Sequence, residues 1–171
     1  MERIKQLIIP FSGLKEGVHH FKYQIGEEFF NQFEQSIIKS GNFQLKLELE
    51  KKVNMLTFLF DMEGEIYTLC DRCNSNLSLS VSSVENLIVK FGKEESLDTD
   101  EILILSPDEH EVDLTKNLYE YLNLLMPIKA THQKIEDCDQ EVIQKLEEYA
   151  HQNESKKTDL RWAELEKLKR N

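Results

Sequence analysis

Leu69-Cys70-Asp71-Arg72-Cys73-Asn74 constrains the fold of this chain more than any other stretch. It sets two of the three cysteines two residues apart, in a turn between two strand-like runs. At that spacing a tight turn can point both sulfurs at one metal ion, so the pair reads as a zinc knuckle or as thiol chemistry. A knuckle supplies only half of a tetrahedral site. The other half must come from a distant part of the chain, which ties a local turn to the global fold.

With 171 residues, 40% of them apolar and 31% charged, the chain is sized for a soluble domain with a real core and room for an appendage. A net charge of −11 argues against a uniformly basic nucleic-acid binder, against DNA, and against an anionic membrane surface. Contact with RNA would need a local basic patch or a second protein. The apolar run from Ile4 to Pro10 is too short for a secretory signal, and no stretch approaches a membrane span. Three cysteines are an odd count, which fits free thiols in a reducing cytoplasm better than a disulfide framework.

The first half reads mostly as strands. Ile4 to Ile9 and Val18 to Gln24 are candidates. Phe43, Leu45, Leu47 and Leu49 alternate strictly with polar residues, the mark of a half-buried strand. Met55 to Phe60 follows, and Asp61-Met62-Glu63-Gly64 reads as a turn into Glu65 to Leu69. After the cysteine turn, Leu77, Leu79 and Val81 alternate with serines, and the pattern runs to Phe91. Short links between successive strands imply antiparallel pairing.

Phe29, Phe33 and Ile37 recur every four residues, with Phe30 and Ile38 beside them, which predicts an amphipathic helix over Glu27 to Lys39 stopped by Ser40-Gly41. Gly92 to Thr99 is a charged loop, and Ile102 to Leu105 a short buried strand. Asp113 is placed to cap a helix whose apolar face is Leu114, Leu118, Tyr121, Leu122 and Leu125, ended by Pro127. A second helix is expected over Gln140 to Ala150 with Val142, Ile143, Leu146 and Tyr149 inward. The fold class is α+β: an antiparallel, strongly twisted or barrel-like sheet with an N-terminal amphipathic helix and C-terminal helices. Residues 1–151 form the domain that carries the cysteine turn, and 152–171 a linker with a basic amphipathic segment.

With these pieces placed, the chain resembles the bacterial YceD family, the large-ribosomal-RNA-subunit accumulation proteins. Cys70-Asp71-Arg72-Cys73 is similar to the family's Cys-x-Arg-Cys turn after a hairpin. Val112-Asp113-Leu114, followed by Leu124-Leu125-Met126-Pro127-Ile128, resembles its acid-capped helix ending in a Leu-Pro segment, with His132 and Cys138 shortly after. Asp159-Leu160-Arg161-Trp162, followed by Leu165-Glu166-Lys167-Leu168-Lys169, is similar to its terminal segment. Leu160 stands where the family has proline, and Asn74 where leucine is usual. The resemblance spans about residues 65 to 171. It implies a non-enzymatic role in accumulation of large-subunit ribosomal RNA, through precursor RNA or a basic ribosomal protein.

Zinc wants four sulfur or nitrogen ligands, and the candidates beside Cys70 and Cys73 are His132 and Cys138. A structural zinc there would clip the cysteine turn to the segment after Pro127, closing a loop of about 60 residues. The alternative is metal-free: turn cysteines at 70 and 73 and a buried small hydrophobe at 138. A dithiol redox site fits less well, because the pair does not open a helix in a βαβ unit. His19 and His20 point to opposite faces of a strand, and these two, with His110 and His151, read as solvated. Gly-rich phosphate loops and a nucleophile elbow are missing, and the acidic pairs Glu27-Glu28, Glu94-Glu95 and Glu147-Glu148 read as solvated. The chain is not expected to be an enzyme.

The last 17 residues carry six basic and three acidic side chains, a net +3, which leaves −14 on the other 154. That asymmetry marks a candidate contact for RNA or a partner: Lys156, Lys157, Arg161, Trp162, Lys167, Lys169 and Arg170. The alternative is a helix docked at home through Trp162, Leu165 and Leu168. The competing functions are a small zinc-binding or thiol-redox protein, and a protein-interaction module that touches no RNA.

Overall fold

The computed structural model describes residues 2–34, 36–92 and 102–154. In chain order the elements are β1 (Glu2–Arg3), β2 (Ile8–Ile9), β3 (Gly17–Ile25), α1 (Glu27–Phe30), β4 (Ser40–Lys51), β5 (Met55–Leu69), β6 (Asn76–Phe91), β7 (Ile102–Leu105), β8 (Val112–Asp113), α2 (Thr115–Leu124) and α3 (Gln140–Glu154), with a single 3₁₀ turn at Ile135–Asp137. They fall into two compact units, residues 1–69 with 76–130, and residues 70–75 with 131–171.

The first unit is built on a six-stranded sheet in the order β1-β3-β4-β5-β6-β7. Strands β3 to β6 form an antiparallel meander, short links joining β4, β5 and β6 and a longer one through α1 joining β3 to β4. The two edges depart from it. β1 lies parallel to β3 and β7 parallel to β6, each after a connection long enough to carry the chain back. The order is linear, and among the described residues β1 and β7 do not pair, so the barrel-like alternative does not hold for them.

Alternation decides which face is covered. Phe43, Leu45, Leu47 and Leu49 of β4 are buried, as are Leu56, Phe58, Phe60 and Met62 of β5. Onto this face pack α1, with Phe29 and Phe30, and α2, with Leu118 and Leu122. The edge of Phe60 meets the Tyr121 ring at 5.2 Å, and Phe33 stacks on Tyr119 at 3.9 Å. The Asp113 carboxylate accepts the Thr115 amide at 2.8 Å; the helix itself is capped at Leu114, whose carbonyl accepts the Leu118 amide at 2.9 Å, so Asp113 stands one residue outside the cap position expected of it. Thr115 in turn accepts the Leu7 amide at 2.9 Å, tying the N-terminal segment to the start of α2. Lys51 donates to the carbonyls of Phe11 at 2.8 Å and Leu14 at 2.7 Å, closing the turn before β3.

Several sequence expectations give way. The helix predicted over Glu27 to Lys39 is a single turn, Glu27–Phe30. The four-residue spacing is misleading there, because Ile37 is 65% exposed while its neighbour Ile38 is buried. Ser36 is buried and gives its hydroxyl to the Ile38 carbonyl, a local bond that replaces helix. Ser40-Gly41 opens β4 instead of stopping a helix. Asp61 to Gly64 is no turn either, since β5 runs through it without a break. In α3 the expected inward face is covered only in part by described residues: Val142 and Ile143 are half-buried, whereas Leu146 is 47% and Tyr149 64% exposed. α3 also runs on through 152–154, into the expected linker.

Gly64 has a packing reason. It stands opposite Phe43, whose ring lies over it; a Cβ there would run first into the backbone carbonyl oxygen of Asn42, then meet Phe43 Cα at 2.7 Å and its Cδ1 at 2.8 Å. Gly64→Ala is expected to cost about 1–3 kcal/mol by overpacking. Gly13→Ala, with nothing within 4 Å, should stay within about 0.5 kcal/mol. Urea unfolding of both variants checks this, and equal midpoints would remove the close approach of Asn42 and Phe43 as the constraint at this position.

Candidate metal centre

Between Leu69 and Asn76 the long hairpin closes with a turn that is itself a small ring of bonds. The Cys70 amide donates to the Ser75 carbonyl at 2.8 Å, and the Asn74 amide to the Cys70 carbonyl at 2.7 Å. Closing so tightly drives Asn74 to a φ of 58°, left-handed backbone that asparagine tolerates better than a leucine would. This accounts for the residue at 74. The turn buries both sulfurs.

The second half of the cluster comes from the segment before α3. His132 and Cys138 flank the 3₁₀ turn, and the Cys138 amide returns to the Ile135 carbonyl at 3.0 Å. Gln140 locks that turn, donating its amide to the carbonyls of Ile135 at 3.0 Å, Glu136 at 3.3 Å and Cys138 at 2.9 Å. Asp139 caps α3 by accepting the Glu141 amide at 3.0 Å.

All four candidates meet. The ligand atoms of Cys70, Cys73, His132 and Cys138 lie within 4.8 Å of one another. Nδ1 of His132 is 3.6 Å from the sulfur of Cys73 and 3.6 Å from that of Cys138. A tetrahedral ion with sulfur at about 2.3 Å and nitrogen at about 2.0 Å spans an N–S edge of about 3.6 Å, so the donor set fits zinc in type and spacing. Burial points the same way. Among the described residues of this unit only Cys70, Cys73 and Cys138 are buried, so no apolar core stands in for a bound ion.

The electrostatics favour thiolates at the knuckle. Burial pushes the Cys70 thiol up, but backbone amides of His132, Arg72 and Cys73 outweigh it and bring it below its ordinary value. The Ser75 hydroxyl, 2.9 Å from the Cys73 sulfur, pulls that thiol down to about 6, against burial and with help from the backbone of Asp139 and Ser75. Burial and the neighbouring Cys73 raise Cys138, opposed by Arg72, whose Nη1 stands 3.5 Å from its sulfur. Burial lowers His132, but the sulfurs of Cys70 and Cys73 carry it upward overall. Metal binding would displace those protons.

The four ligand candidates follow from residue type and spacing, whereas Ser75, Arg72 and Gln140 do not. A serine two residues after a cysteine and a glutamine opening a helix are too common to signal anything by themselves. Elsewhere, His19 turns back to the Lys15 carbonyl at 2.8 Å and His20 sits 3.5 Å from Glu48, both at the surface. Lys156, Lys157, Arg161, Trp162, Lys167, Lys169 and Arg170 lie outside the described residues. No helix among the described residues is long and apolar enough to cross a membrane.

In metal-free protein the Cys73 thiolate forms as pH rises through about 6. Iodoacetamide at neutral pH is therefore expected to label Cys73 ahead of Cys138, with the advantage fading below pH 6. Peptide mass spectrometry of timed samples reads this directly, and equal rates at the two sulfurs would contradict it.

Compared with known proteins, residues 59–169 match the family model described as large ribosomal RNA subunit accumulation protein YceD. No curated protein matches the chain, and no solved structure does.

Proposed function

The chain belongs to the YceD family, and from that membership we propose that it is a non-enzymatic accessory factor of large-ribosomal-subunit biogenesis, acting in the cytoplasm. It promotes accumulation of large-subunit ribosomal RNA by holding precursor RNA or a basic ribosomal protein. The observation that carries this reading is the match over residues 59–169, which takes in the cysteine turn, α2 and the basic terminus. The basic terminal residues Lys156, Lys157, Arg161, Lys167, Lys169 and Arg170, with Trp162 among them, supply the contact to phosphate or partner.

Cys70, Cys73, His132 and Cys138 hold a structural zinc ion in this reading. The ion supplies cross-linking, not reaction chemistry: four ligands leave no open position for a substrate or a water. What supports it is the 3.6 Å pair of N–S edges and, among the described residues of that unit, the lack of other buried side chains.

Two measurements test the two parts separately. Elemental analysis of purified protein should find one zinc per chain, lost in Cys138→Ser, with faster amide exchange over 70–75 and 131–138. A chain that carries no zinc would sink the metal reading. Deletion of the gene should lower large-subunit RNA and the large-subunit peak in gradients, restored by wild type but not by Lys167/Lys169/Arg170→Ala. Unchanged RNA and profiles on deletion would sink the biogenesis reading.

A further inference from the structure

The two edges of the large sheet are treated differently. On one side β3 is flanked by β1, and its open part carries His19, His20 and Lys22. On the other side β7 covers β6 only from Ile88 to Phe91. From Asn76 to Leu87 no described residue pairs with the outer edge of β6. That stretch, Asn-Leu-Ser-Leu-Ser-Val-Ser-Ser-Val-Glu-Asn-Leu, holds no lysine, arginine or proline and has Glu85 as its single charge. Unpaired edges are normally guarded by such residues, because their free N–H and C=O groups recruit any extended chain.

The two faces beside this edge define what fits. On one face β6 presents exposed Ser78, Ser80, Ser82 and Val84. Their register partners on β5 are Tyr67, Glu65, Glu63 and Asp61. Asp61 and Glu63 share Lys46 of β4, at 3.4 and 3.6 Å. Glu65 accepts only the Tyr67 hydroxyl, at 3.1 Å, and pairs with no basic side chain among the described residues. On the opposite face Leu79 and Val81 are half-buried, with apolar surface left over.

We propose that the β6 edge from Asn76 to Leu87 docks an extended polypeptide segment of alternating basic and apolar residues, added to the sheet as a further strand. Its backbone satisfies the open edge, and its apolar side chains cover Leu79 and Val81. Its basic side chains lie over the small serines toward Glu65 and Glu63, two strand spacings or about 9.6 Å away, a gap that lysine and glutamate stems bridge between them. This partner goes beyond the accumulation-factor reading, and it depends neither on the metal nor on RNA.

The probe is a synthetic peptide of alternating lysine and valine, as long as the open edge, titrated into the full chain. Hydrogen exchange is followed by mass spectrometry. Protection should appear at Asn76–Leu87, and binding should weaken as salt rises. The same peptide N-methylated at alternate residues keeps its charge but cannot complete the ladder, so it should bind at least about tenfold more weakly. Ser80→Lys/Ser82→Lys, which guards the edge and offers Glu65 a lysine of its own, should abolish protection while leaving the thermal midpoint in place. Three results would overturn the proposal. One is equal binding of both peptides, which means charge alone. Another is protection already present without peptide at every protein concentration, which means the chain covers its own edge. The last is peptide-free protection that grows with protein concentration, which means a second copy sits there.

Discussion

The unbroken pairing of β5 with β6 is the constraint on which the rest depends. It runs from Met55 opposite Lys90 to Leu69 opposite Asn76 without a bulge. Because side chains alternate along a strand, that one register decides which residues of both strands face the core and which face outward. It also decides where the hairpin turn falls, and so delivers Cys70 and Cys73 together, on one tight turn. A slip of one residue would turn Phe58, Phe60 and Met62 outward, so core and cysteine turn are specified by the same ladder.

Much of this arrangement can be read from the residues alone. The strict alternation of Phe43 to Leu49, the serine-spaced Leu77 to Val81, and a helix beginning just after Asp113 all reappear in the fold. What misleads is punctuation. Gly64 and its polar neighbours look like a turn in one dimension; in three they continue a strand, and the glycine makes room for the Asn42 carbonyl and for Phe43 across the ladder. Gly41 is the same case, a hypothetical Cβ there meeting Phe43 Cε2 at 2.7 Å. A long-range contact has the final say over a local preference. The apolar run from Phe29 to Ile38 fails as a helix for a related reason: its buried residues serve a loop held by the Ser36 side chain and by Phe33 against Tyr119.

The metal candidates are easier to find than the residues around them. Two cysteines at knuckle spacing, with a histidine and a cysteine beyond Pro127, are a chemical signature that survives without knowledge of the fold. Ser75 and Gln140 carry no such signature, and Arg72 is marked only as part of the turn motif, because each acts through a position that only folding creates. Ser75 reaches Cys73 after the turn has closed, and Arg72 reaches Cys138 across a gap of 66 positions in the chain. Supporting residues of this kind orient first ligands, and sequence spacing does not encode them.

The two units stabilise themselves by different means. The first buries phenylalanines, leucines and isoleucines from most of its elements against one sheet face. The second buries three cysteines and, among its described residues, nothing else, while α3 leaves Leu146 exposed. So little apolar burial offsets only part of the entropy of ordering that backbone, and an ion on the four donors, as proposed, would act as a staple. His132 lies 59 positions from Cys73, so an ion held by both removes more unfolded-state freedom than a local turn would. The stretch from His132 to Cys138 is already folded locally by Gln140, so an ion there would have little left to order. The division follows from physics: apolar burial where the chain has apolar residues to spend, and four convergent donor atoms where it does not.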